Sequence, residues 1–231
     1  GMEIGADLAG VGGTIGVPGV SIGAGALSPA LPTIPGLWVN RFGQRFVNEE
    51  SHYAYAIRAV FDQQEHVAWA IFDENIKALG GAAIGGIWGA WSDDLSEELA
   101  SGKVQMGASV EALAAAIGVN ADGLGQTLAR WNEGAGEGHD PVFGKQGGLQ
   151  ALDNPPYYAT RVTSVNLGSC GGLRIDPECR VIDATGEPIA GLFAAGMVAG
   201  GFIGPYYPGS GTAIAATVVF GRIAGMGAAN A

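Results

Sequence analysis

Residues 191–225 read GLFAAGMVAGGFIGPYYPGSGTAIAATVVFGRIAG. The first residues favour a short apolar strand that ends in glycines, and a glycine-rich loop follows it. From about Thr212 onward, small side chains favour a long helix. Backbone N–H groups in such a loop and at a helix N-terminus commonly bind anionic or electron-rich groups. The segment therefore predicts a ligand-contacting loop between a strand and a helix.

Composition sets the size and the chemical character of the chain. Its 231 residues suffice for one large domain or two small ones, and 48% of them are hydrophobic. Only 14% are charged, whereas about 25% is typical of globular proteins. The 41 glycines suit a loop-rich scaffold with closely packed backbones better than a helical bundle.

The charge balance and the cysteines exclude several kinds of partner. A net charge of −11 argues against nucleic acid and anionic membrane surfaces, since both need clustered Lys and Arg. No uninterrupted apolar run is long enough to predict a membrane span, and no signal peptide pattern is present. Cys170 and Cys179 form no CxxC pair, so we expect two free thiols and a cytoplasmic location. The three histidines do not cluster, so no metal site is predicted.

The rest of the chain mixes helix and strand signals without strict alternation, which indicates an α+β fold. Ser109 and Asn120 are expected to cap two successive helices. The further expectations are a short helix within residues 3–16, a loop or linker over 17–35, a hairpin over 37–50, a helix over 53–64, a strand over 66–72, a flexible glycine-rich loop over 80–89, an extended segment over 155–167 and a hairpin over 171–183.

Several blocks, in this order, resemble the flavoproteins related to fumarate reductase and 3-ketosteroid dehydrogenase. Residues 37–53, LWVNRFGQRFVNEESHY, are similar to the hairpin that leads into the family's capping domain, and residues 109–145 to its helical stretch. GGLRIDPECRVID at 171–183, followed by GLFAAG at 191–196, resembles the return into the FAD-binding domain. Residues 191–225 resemble the family's last segment, which contacts both flavin and substrate.

The resemblance implies a fumarate-reductase-type capping domain plus the C-terminal strands and helix of an FAD-binding domain. The implied division is a residual FAD-domain segment and linker over 1–35, the capping (substrate) domain over 36–160, and the C-terminal part of the FAD domain over 161–231. A strand–GxGxxG–helix unit with an acidic residue about 20 positions on is not found. We therefore expect the N-terminal dinucleotide-binding βαβ unit to be lacking, and FAD not to be retained by this chain alone.

The loop pattern Tyr-Pro-Gly-x-Gly at residues 207–211 matches the ketosteroid dehydrogenases. In that family the tyrosine hydroxyl and the last glycine's N–H hold a ketone oxygen, which implies this role for Tyr207 and Gly211. No Arg or Lys occurs from residue 181 to 221, so the arginine with which fumarate reductases clamp a carboxylate is absent. An ordinary glycine–proline loop is the alternative interpretation.

Tyr53 stands where fumarate reductases carry a proton-donating arginine and ketosteroid dehydrogenases a tyrosine base. The resemblance thus implies a proton-transferring tyrosine, which needs a partner that favours its deprotonated form. A structural tyrosine whose hydroxyl meets water is the alternative, and Tyr55 lies only two residues away.

The resemblance also implies flavin contacts in the last segment. Met197 departs from the fumarate reductases, which have a glutamate there that bonds a hydroxyl of the cofactor. The helix N-terminus is expected to face the flavin's pyrimidine carbonyl. The implied cofactor-binding residues are Gly196, Met197, Gly211, Thr212, Ala213 and Ile214.

The expected parent reaction is desaturation of a C–C bond next to a ketone, or its reverse, with FAD as cofactor and a hydrophobic or steroid-like ketone as substrate. The alternatives are a non-catalytic truncated domain without flavin, and a fumarate or enoate reductase-like protein. Sparse charge beside high apolar content leads us to expect either a partner chain that carries the missing FAD-domain segment or self-association.

Overall fold

The computed structural model describes residues 1–23, 26–29, 36–80, 91–204 and 207–231. They form two compact units, which we name the terminal unit (Gly1–Gly16 with Asn166–Ala231) and the central unit (Val17–Val165). The three-domain division stays a prediction. The glycine-rich loop at 80–89 lies almost wholly outside the described residues.

Helices and strands are mixed along the chain, as predicted. The strands are β1 (Leu8–Ala9), β2 (Thr14–Gly23), β3 (Ala26–Pro29), β4 (Leu37–Val39), β5 (Ala68–Asp73), β6 (Val104–Gly107), β7 (Tyr157–Ser169), β8 (Gly172–Arg174), β9 (Arg180–Ile182), β10 (Pro188–Phe193) and β11 (Ala199–Gly200). The helices are α1 (Tyr53–Phe61), α2 (Glu74–Lys77), α3 (Ser96–Ala100), α4 (Val110–Ile117), α5 (Ala121–Gly136) and α6 (Thr212–Ala229).

A six-stranded sheet organises the central unit, with strand order β3-β2-β7-β5-β4 and β6 paired to β7. Strand β5 is almost wholly buried, and Phe72 stacks on Tyr158 of β7 at 5.4 Å between ring centroids. Helices α4 and α5 begin where the sequence predicts. The Ser109 side chain accepts from the amide of Ala112 at 3.2 Å, and that of Asn120 from the amide of Gly123 at 2.7 Å.

Two corrections concern the chain before α1. Residues 17–35 were expected to be a loop, but β2 and β3 pair antiparallel there, and Pro18 lies outside the segment that pairs with β3. The hairpin expected over 37–50 is reduced to β4 and one bridge between Val39 and Arg45. The amide of Trp38 donates to Glu49 Oε1 at 3.0 Å. This carboxylate takes the place of the second hairpin strand, which was expected beside β4.

Four buried charged side chains connect two segments of the central unit that are about 95 residues apart in sequence. The Arg45 guanidinium donates to both carboxylate oxygens of Glu49, at 2.9 and 2.8 Å, and to both of Asp140, at 2.8 and 2.9 Å. The Nζ of Lys145 lies 3.8 Å from Glu49 and donates to the carbonyl of Gly36. None of the four side chains is more than 5% exposed. The set is neutral, because two cations meet two carboxylates.

Asp140 should make stability depend on pH. Burial alone would raise the pKa of this carboxyl, but Arg45 and the amides of Val142 and Lys145 hold its pKa well below the ordinary value. The stability that the ionised carboxyl contributes is therefore complete above its unfolded pKa of about 4, and is lost as the pH falls toward the folded pKa.

We expect Asp140→Asn to lower the free energy of unfolding by roughly 1–3 kcal/mol at neutral pH and to flatten its decline below about pH 4. Urea unfolding at a series of pH values measures both effects. Asp153→Asn is the control, because Asp153 is exposed, and it should change stability by less than about 0.5 kcal/mol. An unchanged pH profile in Asp140→Asn would contradict this account.

In the terminal unit, β8 lies between β1 and β11 in a three-stranded sheet, and β9 pairs with β10. The hairpin predicted over 171–183 would pair β8 with β9, but these strands belong to different sheets. Only a single bridge, between Ile175 and Val181, joins the two halves of that segment. A Cβ on Gly200 would lie 2.1 Å from the amide nitrogen of Gly172, so this sheet needs glycine at that position. The helix expected within residues 3–16 is a three-residue 3₁₀ turn at Met2–Ile4. Both cysteines are buried free thiols, as expected.

Helix α6 begins at Thr212 as predicted, and much of its apolar surface is open. Ile214, Val218 and Met226 are 72%, 67% and 58% exposed. By length and composition alone the helix could cross a membrane, with 18 residues and a mean hydropathy of 1.4. The sequence predicted no span, and one such helix is only a weak indication of one.

Candidate functional site

The segment from the end of β10 to the start of α6, which includes the short strand β11, holds most of the residues that the sequence singles out for ligand contact. Gly211 is the residue before the helix, with φ +92°, a conformation that side-chain-bearing residues rarely adopt. Among the residues that the structure describes, an added Cβ there would meet nothing within 4 Å. Backbone conformation, and not crowding, therefore requires glycine at this position, and the N-terminus of α6 is approachable beside it.

Tyr207 lies against the N-terminus of α6. Its side chain is buried, with 6% of the residue exposed, and its hydroxyl oxygen accepts a hydrogen bond from the amide of Ala213 at 2.8 Å. This bond caps the helix in place of Gly211, which has no side chain to do so. The hydroxyl of Tyr207 is thereby held at the helix end to which Gly211 belongs, so the two predicted oxyanion donors lie at the same helix terminus.

The amides at this helix end are only partly used. The amide of Thr212 donates to the carbonyl of Gly209 at 3.2 Å. Within the described part of the chain, the amides of Gly211 and Ile214 have no hydrogen-bond acceptor. Donors of this kind, at the positive end of a helix dipole, favour an electron-rich ligand atom.

Gly196 and Met197, the two predicted flavin contacts that follow β10, lie near α6 and β7 respectively. Gly196 has φ +69°, and a Cβ there would lie 3.3 Å from Oγ1 of Thr217 on α6. Met197 is 43% exposed, and its Cε would lie 2.7 Å from a Cβ placed on Gly168. The methionine thus lies over a glycine of β7 and offers an apolar surface where a glutamate would offer a carboxylate.

A pair of glycine substitutions in the same helix tests the backbone assignment. Gly211→Ala should lower the free energy of unfolding by roughly 1–2 kcal/mol, because alanine is strained at positive φ. Gly221 lies inside α6, and among the described residues an added Cβ there meets no atom within 4 Å, so Gly221→Ala should raise the free energy of unfolding by roughly 0.5–1 kcal/mol. Urea unfolding of the two variants decides the matter. Equal effects of the same sign would show that Gly211 does not hold the strained conformation.

Tyr53 belongs to the central unit, as the first residue of α1. The preceding His52 caps that helix by accepting from the amide of Ala54, and its ring lies 4.3 Å from the Tyr53 ring. Tyr53 is partly exposed, whereas Tyr55 is 66% exposed. The structure therefore separates the proton-transfer candidate from its neighbour by exposure, and its role remains a prediction.

The structure brings Tyr207, Gly211, Thr212, Ala213 and Ile214 together at one helix end. Sequence reasoning missed two contacts in this group: the amide of Ala213 as partner of the Tyr207 hydroxyl, and Thr217 beneath Gly196. Thr217 lies one helical turn after Ala213 and donates to its carbonyl at 2.8 Å. The predicted start of α6 at Thr212 was the one signal that could have located both.

Comparison with known proteins identifies relatives over most of the chain. The profile of the FAD binding domain family matches residues 15–214. A 4-oxocyclohex-2-ene-1-carboxylate 5-dehydrogenase of Sinomonas cyclohexanicum is 34% identical over 85% of this chain and 36% of its own length. A probable fumarate reductase, Ifc3, of Shewanella frigidimarina is 34% identical over 88% of this chain and 32% of its own length. The chain thus spans about a third of the length of these curated relatives.

Two solved structures are similar in fold. A 3-ketosteroid delta1-dehydrogenase from Sterolibacterium denitrificans, in complex with 1,4-androstadiene-3,17-dione, gives a TM-score of 0.85 at 30% identity. The match covers 100% of this chain and 46% of that one. The open conformation of a flavocytochrome c3 fumarate reductase gives a TM-score of 0.66 at 31% identity, over 99% of this chain and 38% of that one.

Proposed function

This chain belongs to the FAD binding domain family, and on that premise we propose that it is part of an oxidoreductase that desaturates a C–C bond next to a ketone, or reduces it. The observation that carries this proposal is the position of the Tyr207 hydroxyl, held by the amide of Ala213 at the end of α6 that Gly211 precedes. A ketone oxygen at that helix end would meet an O–H and an N–H donor together.

The donors act on the acidity of the substrate. Two hydrogen bonds to a carbonyl oxygen stabilise the negative charge that develops there when a neighbouring C–H loses its proton. A phenol oxygen that itself accepts an N–H bond becomes a stronger O–H donor, so the Ala213 amide strengthens what Tyr207 donates. Tyr53 is assigned the proton that leaves the substrate.

FAD, when bound, supplies the hydride acceptor. The residues present fit its ring end, because within the described part of the chain the N-terminal amides of α6 are partly unused and an added Cβ on Gly211 meets no atom. The backbone of Gly196 and the residues Thr212 and Ile214 would line that end, with Met197 as an apolar contact. The dinucleotide-binding βαβ unit is not found among residues 1–231, so we assign the ADP half to polypeptide beyond this sequence.

A neutral, hydrophobic ketone is the substrate that these residues favour. No Arg or Lys occurs from 181 to 221, so the loop offers no bidentate partner for a carboxylate. The steroid in the similar ketosteroid dehydrogenase structure supports a steroid-like ketone. A fumarate or enoate reductase is the second candidate, and its support is the similarity to fumarate reductases.

We assign the central unit to the capping domain of this family and the terminal unit to the FAD-binding domain. The exposed apolar side chains of α6 support a partner that covers this helix, either the FAD-domain segment or a second copy. We place the protein in the cytoplasm.

The test uses the FAD-loaded protein, by which we mean this chain together with the polypeptide that carries the ADP half of the site. Anaerobic reduction of its flavin is followed by absorbance. We expect a 3-ketosteroid to bleach oxidised flavin. If no ketone does so and fumarate reoxidises reduced flavin, the reductase interpretation is correct. This chain by itself should lose FAD on gel filtration, and equimolar retention would contradict the assignment of the ADP half elsewhere.

A further inference from the structure

A groove of about 440 Å³ on the surface of the central unit is formed by residues that none of the roles above uses. Its size lies within the range of small-molecule sites, and its walls combine apolar side chains with a few polar ones. Its lining includes Arg41, Glu65, Trp69, Ile117, Val119 and Arg161.

The floor of the groove places an aromatic ring beside a cation. Trp69 of β5 and Arg161 of β7 are directly paired across the antiparallel ladder, so their side chains leave the same face of the sheet. Trp69 is partly exposed, and Arg161 is exposed with no ion-pair or hydrogen-bond partner among the residues that the structure describes. Ile117, the last residue of α4, and Val119 add an apolar wall, and these residues are 8% and 9% exposed respectively.

The rim is backbone held in an unusual conformation. Glu65 and His66 have φ of +62° and +56°, although neither is glycine. Such residues persist where contacts hold them, and they concentrate at ligand sites. Here the Glu65 carboxylate pairs with Arg41 at 2.6 Å, and the His66 ring bonds the carbonyl of Phe61. The pairing holds the Glu65 carboxylate on the rim and occupies the Arg41 guanidinium.

We propose that this groove binds an amphipathic carboxylate, a small molecule with an apolar or aromatic body and one carboxylate group. The carboxylate pairs with Arg161, whose planar guanidinium matches two carboxylate oxygens. The body lies on Trp69 and against Ile117 and Val119. Glu65 opposes the ligand's charge and competes for Arg41. The groove shares no residue with those assigned to the ketone chemistry, so this proposal does not depend on that one.

Isothermal titration of this chain with 3-phenylpropanoate tests the proposal. Binding is expected with a Kd on the order of a millimolar, as a ligand of this size allows. Arg161→Gln should weaken it by about tenfold, the loss of a charge-assisted pair. Glu65→Gln should tighten it several-fold, because it removes a like charge and releases Arg41. Trp69→Leu should weaken it without altering the charge.

The matched control is Arg130→Gln, since Arg130 is another exposed cation of the central unit without an ion-pair partner among the described residues. It should leave binding unchanged. Equal weakening by Arg130→Gln and Arg161→Gln would show general attraction of anions and overturn the proposal. So would equal affinity for the neutral 3-phenylpropanol, equal affinity for inorganic phosphate, or no binding of 3-phenylpropanoate. Circular dichroism confirms that each variant is folded.

Discussion

Tyr207→Phe is expected to slow flavin reduction by a ketone about 10²–10³-fold in the FAD-loaded protein, the usual cost of losing one oxyanion donor. Phenylalanine keeps the buried ring but removes the hydroxyl that accepts from Ala213 and, on our proposal, donates to the ketone. Stopped-flow absorbance of the flavin under anaerobic conditions measures the rate.

Tyr206→Phe is the matched control, because it removes the neighbouring hydroxyl and should change the rate little. Tyr207→Phe also removes a helix cap, which costs about 1 kcal/mol of stability. The flavin content of each variant therefore has to be measured beside the rate. A full loss of activity in Tyr206→Phe with normal activity in Tyr207→Phe would place the donor on the wrong tyrosine.

Tyr53→Phe should slow the same reaction by about 10²–10⁴-fold, since it removes the group assigned to accept the substrate's proton. Tyr55→Phe, which alters a side chain that is 66% exposed, should have little effect. If both tyrosines act in one transition state, the double variant Tyr53→Phe/Tyr207→Phe will be less impaired than the product of the single effects. Strictly multiplicative effects, or a silent Tyr53→Phe, would remove Tyr53 from the mechanism.

The parts of the fold that the sequence predicts well depend on local signals. Ser109 and Asn120 begin helices because a side-chain oxygen can satisfy an amide two or three residues later, and this needs no tertiary contact. The start of α6 at Thr212 follows from the glycines before it and the small residues after it. The cluster of Tyr207, Gly211 and Ala213 is then a consequence of short sequence separation.

The predictions of the fold fail where contacts between residues distant in sequence determine the local structure. Nothing local indicates that Glu49 bonds the amide of Trp38, or that Asp140 reaches Arg45 across 95 positions. A loop or linker is predicted over residues 17–35, yet β2 and β3 pair there, and Pro18 lies outside the paired segment. Charged side chains mostly lie at protein surfaces, so composition and periodicity cannot predict a buried ionic cluster.

The four buried charges have a consequence for how this protein can evolve. Removing one member leaves a partner's charge uncompensated in the interior, whereas replacing the whole set by apolar residues can be neutral. Arg45, Glu49, Asp140 and Lys145 should therefore be inherited together or lost together. A protein that keeps only part of the set should fold poorly. Substitutions at the four positions should therefore be correlated across lineages.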